Sequence, residues 1–316
     1  MQVQQATNST TLQSPWSQLF LMLAFWVGSF VSVCLNGFII LVTVKKNLIQ
    51  GQYKYFVLFL ALNDFLLSFA FTFLQPWVTF GPIEWYHSWV CEAVGTFHWT
   101  FTQGMFLAVT LMALNRYVNI CCQQATFKWL FTKSKVALMM TLVTAFSLVT
   151  GSAFWLDTWY YGKHPYPPAL SPCIGFLKAR SNLILAVMTL AGLVSILSYV
   201  ASAVLIMLVY RKIKAHSLLV LEIVKSDELK RNQYRLKALM AQFCFILIGV
   251  APASIHAFLI KLTGPNFDLE QATAITMVNN PAFDALATLF LLKPYRRVAG
   301  NFLSGLKTGK LELKPD

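Results

Sequence analysis

The chain is 316 residues long, 57% hydrophobic and 12% charged, with a formal net charge of +13. Its charged residues cluster between long apolar tracts, a membrane-protein composition that excludes a water-soluble globular domain. The positive balance does not point to nucleic acid, because the cations lie in short connectors that alternate with the apolar tracts, the pattern that orients a membrane protein.

A hydrocarbon layer of roughly 30 Å needs about 20 mostly apolar residues per helical crossing. Tracts at 17–44, 54–80, 91–120, 136–157, 183–210, 236–262 and 269–292 meet that length. In lipid every backbone polar group must be paired within its own segment, so the expected fold is all-α, a seven-transmembrane helix bundle. The expected organisation is an extracellular segment 1–16, a membrane domain 17–292, and a cytoplasmic eighth helix and tail 293–316.

Residues 1–16 hold no Lys or Arg and no apolar core, so they do not read as a cleaved signal peptide. Asn8-Ser9-Thr10 is a sequon, which makes Asn8 a glycosylation site on an outer segment. The first span carries the amide of Asn36 at mid-helix. Asp64 stands inside the second, in Leu60-Ala61-Leu62-Asn63-Asp64, where an ionisable residue costs about 2.5–3.5 kcal/mol on insertion scales. It is either a carboxyl satisfied by Ser, Thr and Asn neighbours or a cation or proton site.

The third span opens at Cys91, carries His98, Trp99 and Phe101 in its outer half, and ends on Asn115-Arg116-Tyr117. An arginine at a helix end commonly snorkels to the headgroups; the alternative is a buried cationic latch that helix movement exposes to a partner. Cys121 and Cys122 lie on the reducing side, whereas Cys91 and Cys173 are the only cysteines on the oxidising face and are expected to form a disulfide. Phe97, Trp99, Phe101, Trp155, Trp159 and Tyr160 read as an aromatic outer cavity, with an interfacial belt as the alternative. Pro252 and Pro281 should kink the sixth and seventh spans, the second of them beside Asn280.

Of the 25 Lys and Arg, only Lys163, Lys178, Arg180 and Lys261 fall in connectors of one face. The positive-inside rule puts that face outside, with the N-terminus outside and the C-terminus cytoplasmic. No Ser-His-Asp, Cys-His or metal-ligand cluster with usable spacing appears, so an enzyme is not expected. A transporter is the alternative from another class, but the chain shows neither internal repeats nor paired broken helices.

Taken together, these residues resemble the rhodopsin-like (class A) family of G-protein-coupled receptors along the whole chain. Asn36, Leu60 to Asp64, Trp85, Cys91 with Cys173, Asn115-Arg116-Tyr117, Tyr210, Pro252 and Asn280-Pro281-Ala282-Phe283-Asp284 stand in the family's order, and Arg116 lies 25 residues after Cys91. Lys293-Pro294-Tyr295-Arg296-Arg297 leads into a short amphipathic eighth helix on the inner leaflet. The resemblance implies a multi-pass plasma-membrane receptor for an extracellular small molecule or short peptide. Ligand binding would move the sixth helix and activate a heterotrimeric G protein, with membrane lipid as a further partner. It assigns the switch to Asn115, Arg116, Tyr117, Tyr210, Asn280, Pro281 and Asp284, a sodium-type polar site to Asn36, Asp64 and Asn280, and ligand contacts to His98, Trp99 and Phe101. Beyond Na+ at Asp64 no cofactor or other metal is implied; retinal is disfavoured because Ala274 stands where opsins carry the retinal lysine and no other lysine lies in that helix. A receptor-shaped partner that binds without signalling is the second reading.

The chain also departs from the pattern. Asn115 replaces the acid beside the arginine, in a run up to Cys121 that is locally similar to melatonin-type receptors, and Asn232 stands where an acid of the sixth helix is usual. Losing both restraints predicts raised basal activity. Asp284 replaces a tyrosine and as a carboxylate cannot donate the same hydrogen bond. Ser202 stands in place of a proline, Val250 of a tryptophan, and Met105 of a serine that commonly completes the sodium site.

Overall fold

The computed structural model describes residues 15–46, 52–75, 89–161, 182–219, 234, 236–245, 247–248 and 267–308. Asn8, Trp85, Cys173, Asn232, Val250 and Pro252 lie outside the described residues, and of Cys91 only its place in the third helix is described.

Helices run over Pro15–Lys46, Tyr53–Phe69, Trp89–Cys121, Lys133–Tyr161, Asn182–Leu219, Phe267–Leu291 and Lys293–Thr308. Five segments are long and apolar enough to cross a bilayer alone: Leu23–Lys45, Tyr53–Leu74, Glu92–Cys121, Lys133–Ala153 and Thr189–Ala215. Leu236–Phe245 is a shorter apolar piece inside the sixth tract, and Ile275–Leu291 forms a bent pair with Lys293–Phe302, turned by 93°. These segments lie on the apolar tracts read from hydropathy; of the sixth tract, residues 246 and 249–262 lie outside the described residues. The fifth helix runs on past its apolar tract through Arg211, Lys212 and Lys214 to Leu219.

Two local features carry no simple sequence signal. The second span passes at Ala70–Leu74 into a π-turn, closed by Gln75 N–H donating to the Ala70 carbonyl. The connector after the third span folds into a short helix, Gln124–Leu130, whose exposed Trp129 lies under Lys135 at 3.5 Å.

The third helix is the hub, packing on the second, fourth and fifth, while the first packs on the second and seventh. Its core face is Met105, Ala108, Met112 and Ala113, all at most 1% exposed. Apolar area gives no drive between helices in lipid, so close approach through small residues matters. A Cβ added at Gly104 would run into the Asn63 amide, and one at Gly151 would meet the Thr100 hydroxyl and come 2.9 Å from the Thr96 carbonyl oxygen. These two glycines set the second–third and third–fourth crossings.

After the seventh helix the chain turns at Leu292, which donates to the Thr288 carbonyl and accepts from Arg296 N–H. Pro294 then sits in the first turn of the last helix, where its missing N–H costs nothing. That helix is amphipathic: Tyr295 and Val298 are buried, Lys293, Arg296 and Arg297 exposed. Tyr295 anchors it, its hydroxyl 2.6 Å from Thr43 Oγ1 of the first helix. Burial pushes the Tyr295 hydroxyl up to about 12, so it serves as a neutral hydrogen-bonding group.

Candidate functional site

A polar cluster forms where the first, second, third and seventh helices meet. Asn36 Nδ2 donates to the Pro281 carbonyl at 3.1 Å, to the Ser32 carbonyl at 3.1 Å and to Ser32 Oγ at 3.2 Å. Ser68 Oγ donates to Ser32 Oγ at 2.7 Å, tying the second helix into the same node. Asn280 Nδ2 donates to the Met105 sulfur at 3.5 Å, across to the third helix. The first and seventh helices are therefore joined at the proline inside the seventh. Asn36→Leu removes a buried amide from this node and leaves the Pro281 carbonyl without that donor, a cost of about 1–3 kcal/mol. A melting temperature lower by several degrees in the purified protein is the expected reading, with Asn36→Gln intermediate.

Asp64 and Asp284 are each 1% exposed and lie within electrostatic reach of one another. Asp64 Oδ1, both Asp284 oxygens and Asn280 Oδ1 have no hydrogen-bond partner among the described residues. Asn280 and Asp284 sit one turn apart on one helix face. Asn36, Asp64, Asn280 and Pro281, singled out from sequence, are thus brought into one buried region, with Asp284 added to it.

At the end of the third helix opposite Cys91, Arg116 is 2% exposed, so it does not snorkel. Its guanidinium carbon lies 3.6 Å from the centre of the Tyr53 ring, which is itself 5% exposed. Asn115 is also buried, with Nδ2 lacking a hydrogen-bond partner among the described residues, and Tyr117 packs half-buried against the main core. Tyr210 is different: it is 48% exposed and stands apart from this region. Gln242 of the sixth tract donates through Nε2 to Thr288 Oγ1 of the seventh at 2.9 Å, both side chains buried. The fifth helix is held to the third by Ser195 Oγ donating to Gln103 Oε1 and by the Thr110–Ser202 hydroxyl pair, each at 2.9 Å.

In the first half of the third helix His98 is 3% exposed and lies 5.7 Å from Phe71, centre to centre, and 6.0 Å from Trp99. His98 Nδ1, Thr72 Oγ1 and Thr102 Oγ1 have no hydrogen-bond partner among the described residues. Trp99 and Phe101 pack beside them on Leu67, Phe71, Val94 and Val278. The π-turn shapes this corner: it carries Phe71 inward, and the Thr72 carbonyl accepts from Trp26 Nε1 at 3.0 Å. Phe97 and Trp155, read from sequence as cavity residues, are 37% and 44% exposed on the bundle surface, the belt arrangement instead.

Tyr53, Gln242, Thr288 and the Ser32–Ser68 pair did not stand out in the sequence. An aromatic at a helix start reads as an interface anchor, and hydroxyls and amides in a span carry no charge to flag them.

Comparison with known proteins agrees with this geometry. Residues 35–289 match the family model described as 7 transmembrane receptor (rhodopsin family). A green-sensitive opsin of Gallus gallus is 24% identical over 149 residues, spanning 45% of this chain and 40% of the opsin's length. The crystal structure of squid rhodopsin superposes with a TM-score of 0.69 at 15% identity, covering 95% of this chain and 89% of that one. The chain belongs to the rhodopsin family of seven-transmembrane receptors.

Proposed function

We propose that this receptor converts an extracellular small-molecule or short-peptide ligand into heterotrimeric G-protein activation by moving its sixth helix, with the N-terminus outside and the C-terminus cytoplasmic. The observation that carries the reading is Arg116, buried at the inner end of the third helix with its guanidinium stacked on the Tyr53 ring. A cation held at 2% exposure at the membrane edge is not a headgroup anchor; it is stored. The Gln242–Thr288 bond joins the two inner helix ends whose separation would uncover it. A ligand shifts such a two-state bundle only by its differential affinity for the two states.

His98 with the Thr72 and Thr102 hydroxyls, walled by Trp99, Phe101 and Phe71, forms the inner floor of the ligand site. A buried imidazole whose Nδ1 has no hydrogen-bond partner among the described residues suits a hydrogen-bonding ligand better than a simple amine seeking a carboxylate. The seventh helix, Phe267–Leu291, contains no lysine, so a Schiff-base chromophore is not proposed. Asp64, Asn280 and Asp284 offer oxygen donors that suit a hard monovalent cation such as Na+, while the Met105 thioether is a soft atom that would not ligate it.

Nucleotide exchange on heterotrimeric G proteins in membranes carrying the receptor, with Arg116→Ala and Asp64→Asn beside the parent, tests this. Exchange above the Arg116→Ala level, lost also in Asp64→Asn, is expected. No exchange with any G protein favours the receptor-shaped binding partner, a reading to which Asp284 in the tyrosine's place lends support.

A further inference from the structure

We infer that Tyr53 is a positioning residue of the cytoplasmic switch: its ring holds Arg116 inside the bundle. The inference rests on the coupling reading only for its effect on signalling; the stacking itself stands on geometry. Guanidinium is planar and weakly hydrated for a cation, so it lies flat on aromatic faces, and the attraction grows when both partners are out of water. Here Arg116 and Tyr53 are 2% and 5% exposed and 3.6 Å apart. The residue beside the arginine, Asn115, brings no charge.

Tyr53 is itself well fixed. It opens the second helix, one residue after Gln52, whose carbonyl accepts from Tyr55 N–H. It belongs to the same buried cluster as Phe56 and Phe131, which meet edge to face at 6.0 Å. Behind it lies Tyr295, within electrostatic reach and hydrogen-bonded to Thr43. The ring therefore links the third helix to the second, with the first and the last helix backing it. Any movement that presents Arg116 to a partner must first unstack it.

The test uses the purified full chain with melting and unliganded nucleotide exchange as two readouts. Tyr53→Phe should behave as the parent in both, because the ring is kept. Tyr53→Leu should melt about 2–4 °C lower and raise basal exchange roughly tenfold. In an Arg116→Ala background Tyr53→Leu should have no further effect on melting. Equal behaviour of Tyr53→Phe and Tyr53→Leu overturns the inference, since the hydroxyl would then be the active group. So does an undiminished Tyr53→Leu melting loss in the Arg116→Ala background, which means packing alone. Should Tyr53→Leu not accumulate, Arg116→Gln removes the charge beneath an intact ring; parental melting there also overturns it. If the melting pattern holds while no variant drives exchange, the stacking stands and the coupling reading falls.

Discussion

Asp284→Asn is expected to raise the melting temperature of the purified receptor, Asp64→Asn to do likewise, and the double substitution to gain less than the sum. Both carboxyl groups are 1% exposed, and three of their four oxygens find no hydrogen-bond partner among the described residues. Taking an ion out of water costs several kcal/mol unless it is paired, and two acids within electrostatic reach add repulsion to that cost. An amide of the same shape removes the charge and supplies a donor that either Asn280 Oδ1 or the other carboxylate can accept. A net gain of about 1–2 kcal/mol corresponds to roughly 3–6 °C. The shortfall in the double substitution is the coupling between neighbours, since removing either charge already relieves the repulsion. Melting of the four proteins at one pH and fixed salt decides it. A lower melting temperature for Asp284→Asn would mean that a bound cation needs that carboxylate, and dependence of the parent's melting on Na+ at constant ionic strength would confirm the cause.

Much of this was legible in the sequence, for identifiable reasons. The spans followed from hydropathy because lipid forbids unpaired backbone, and Asp64 was legible because a charge inside a span needs a cause. Asn36 and Asn280 were natural partners for it, and the structure places them at one node with Pro281. What stayed hidden depends on helix rotation and local winding. Phe97, Trp99 and Phe101 spread aromatics around one helix, so composition did not tell which face turned inward; Trp99 and Phe101 pack inside and Phe97 outside. The π-turn at Ala70–Leu74 contains neither Gly nor Pro and shifts the register of everything beyond it. Tyr53 lies 63 positions from Arg116, and no local pattern links an aromatic at one helix start to an arginine at another helix end.

The Gln242–Thr288 bond should respond asymmetrically to its two obvious substitutions. Thr288→Val keeps the shape but leaves the Gln242 amide, 2% exposed, with neither Nε2 paired to Thr288 nor a partner for Oε1 among the described residues. An orphaned buried donor costs about 1–3 kcal/mol, so this variant should melt several degrees lower. Gln242→Met removes both polar atoms of the amide at similar volume, and should melt at or above the parent. The pair together should recover most of what Thr288→Val loses. Basal nucleotide exchange follows a different order, because all three variants cut the tie between the sixth and seventh helices and each should raise it. That separation is what distinguishes a conformational tie from a stability contact: Gln242→Met would be as stable as the parent and yet more active. Parental melting for Thr288→Val, or Gln242→Met as destabilised as Thr288→Val, would show that the bond seen at 2.9 Å is not what holds these two helix ends together.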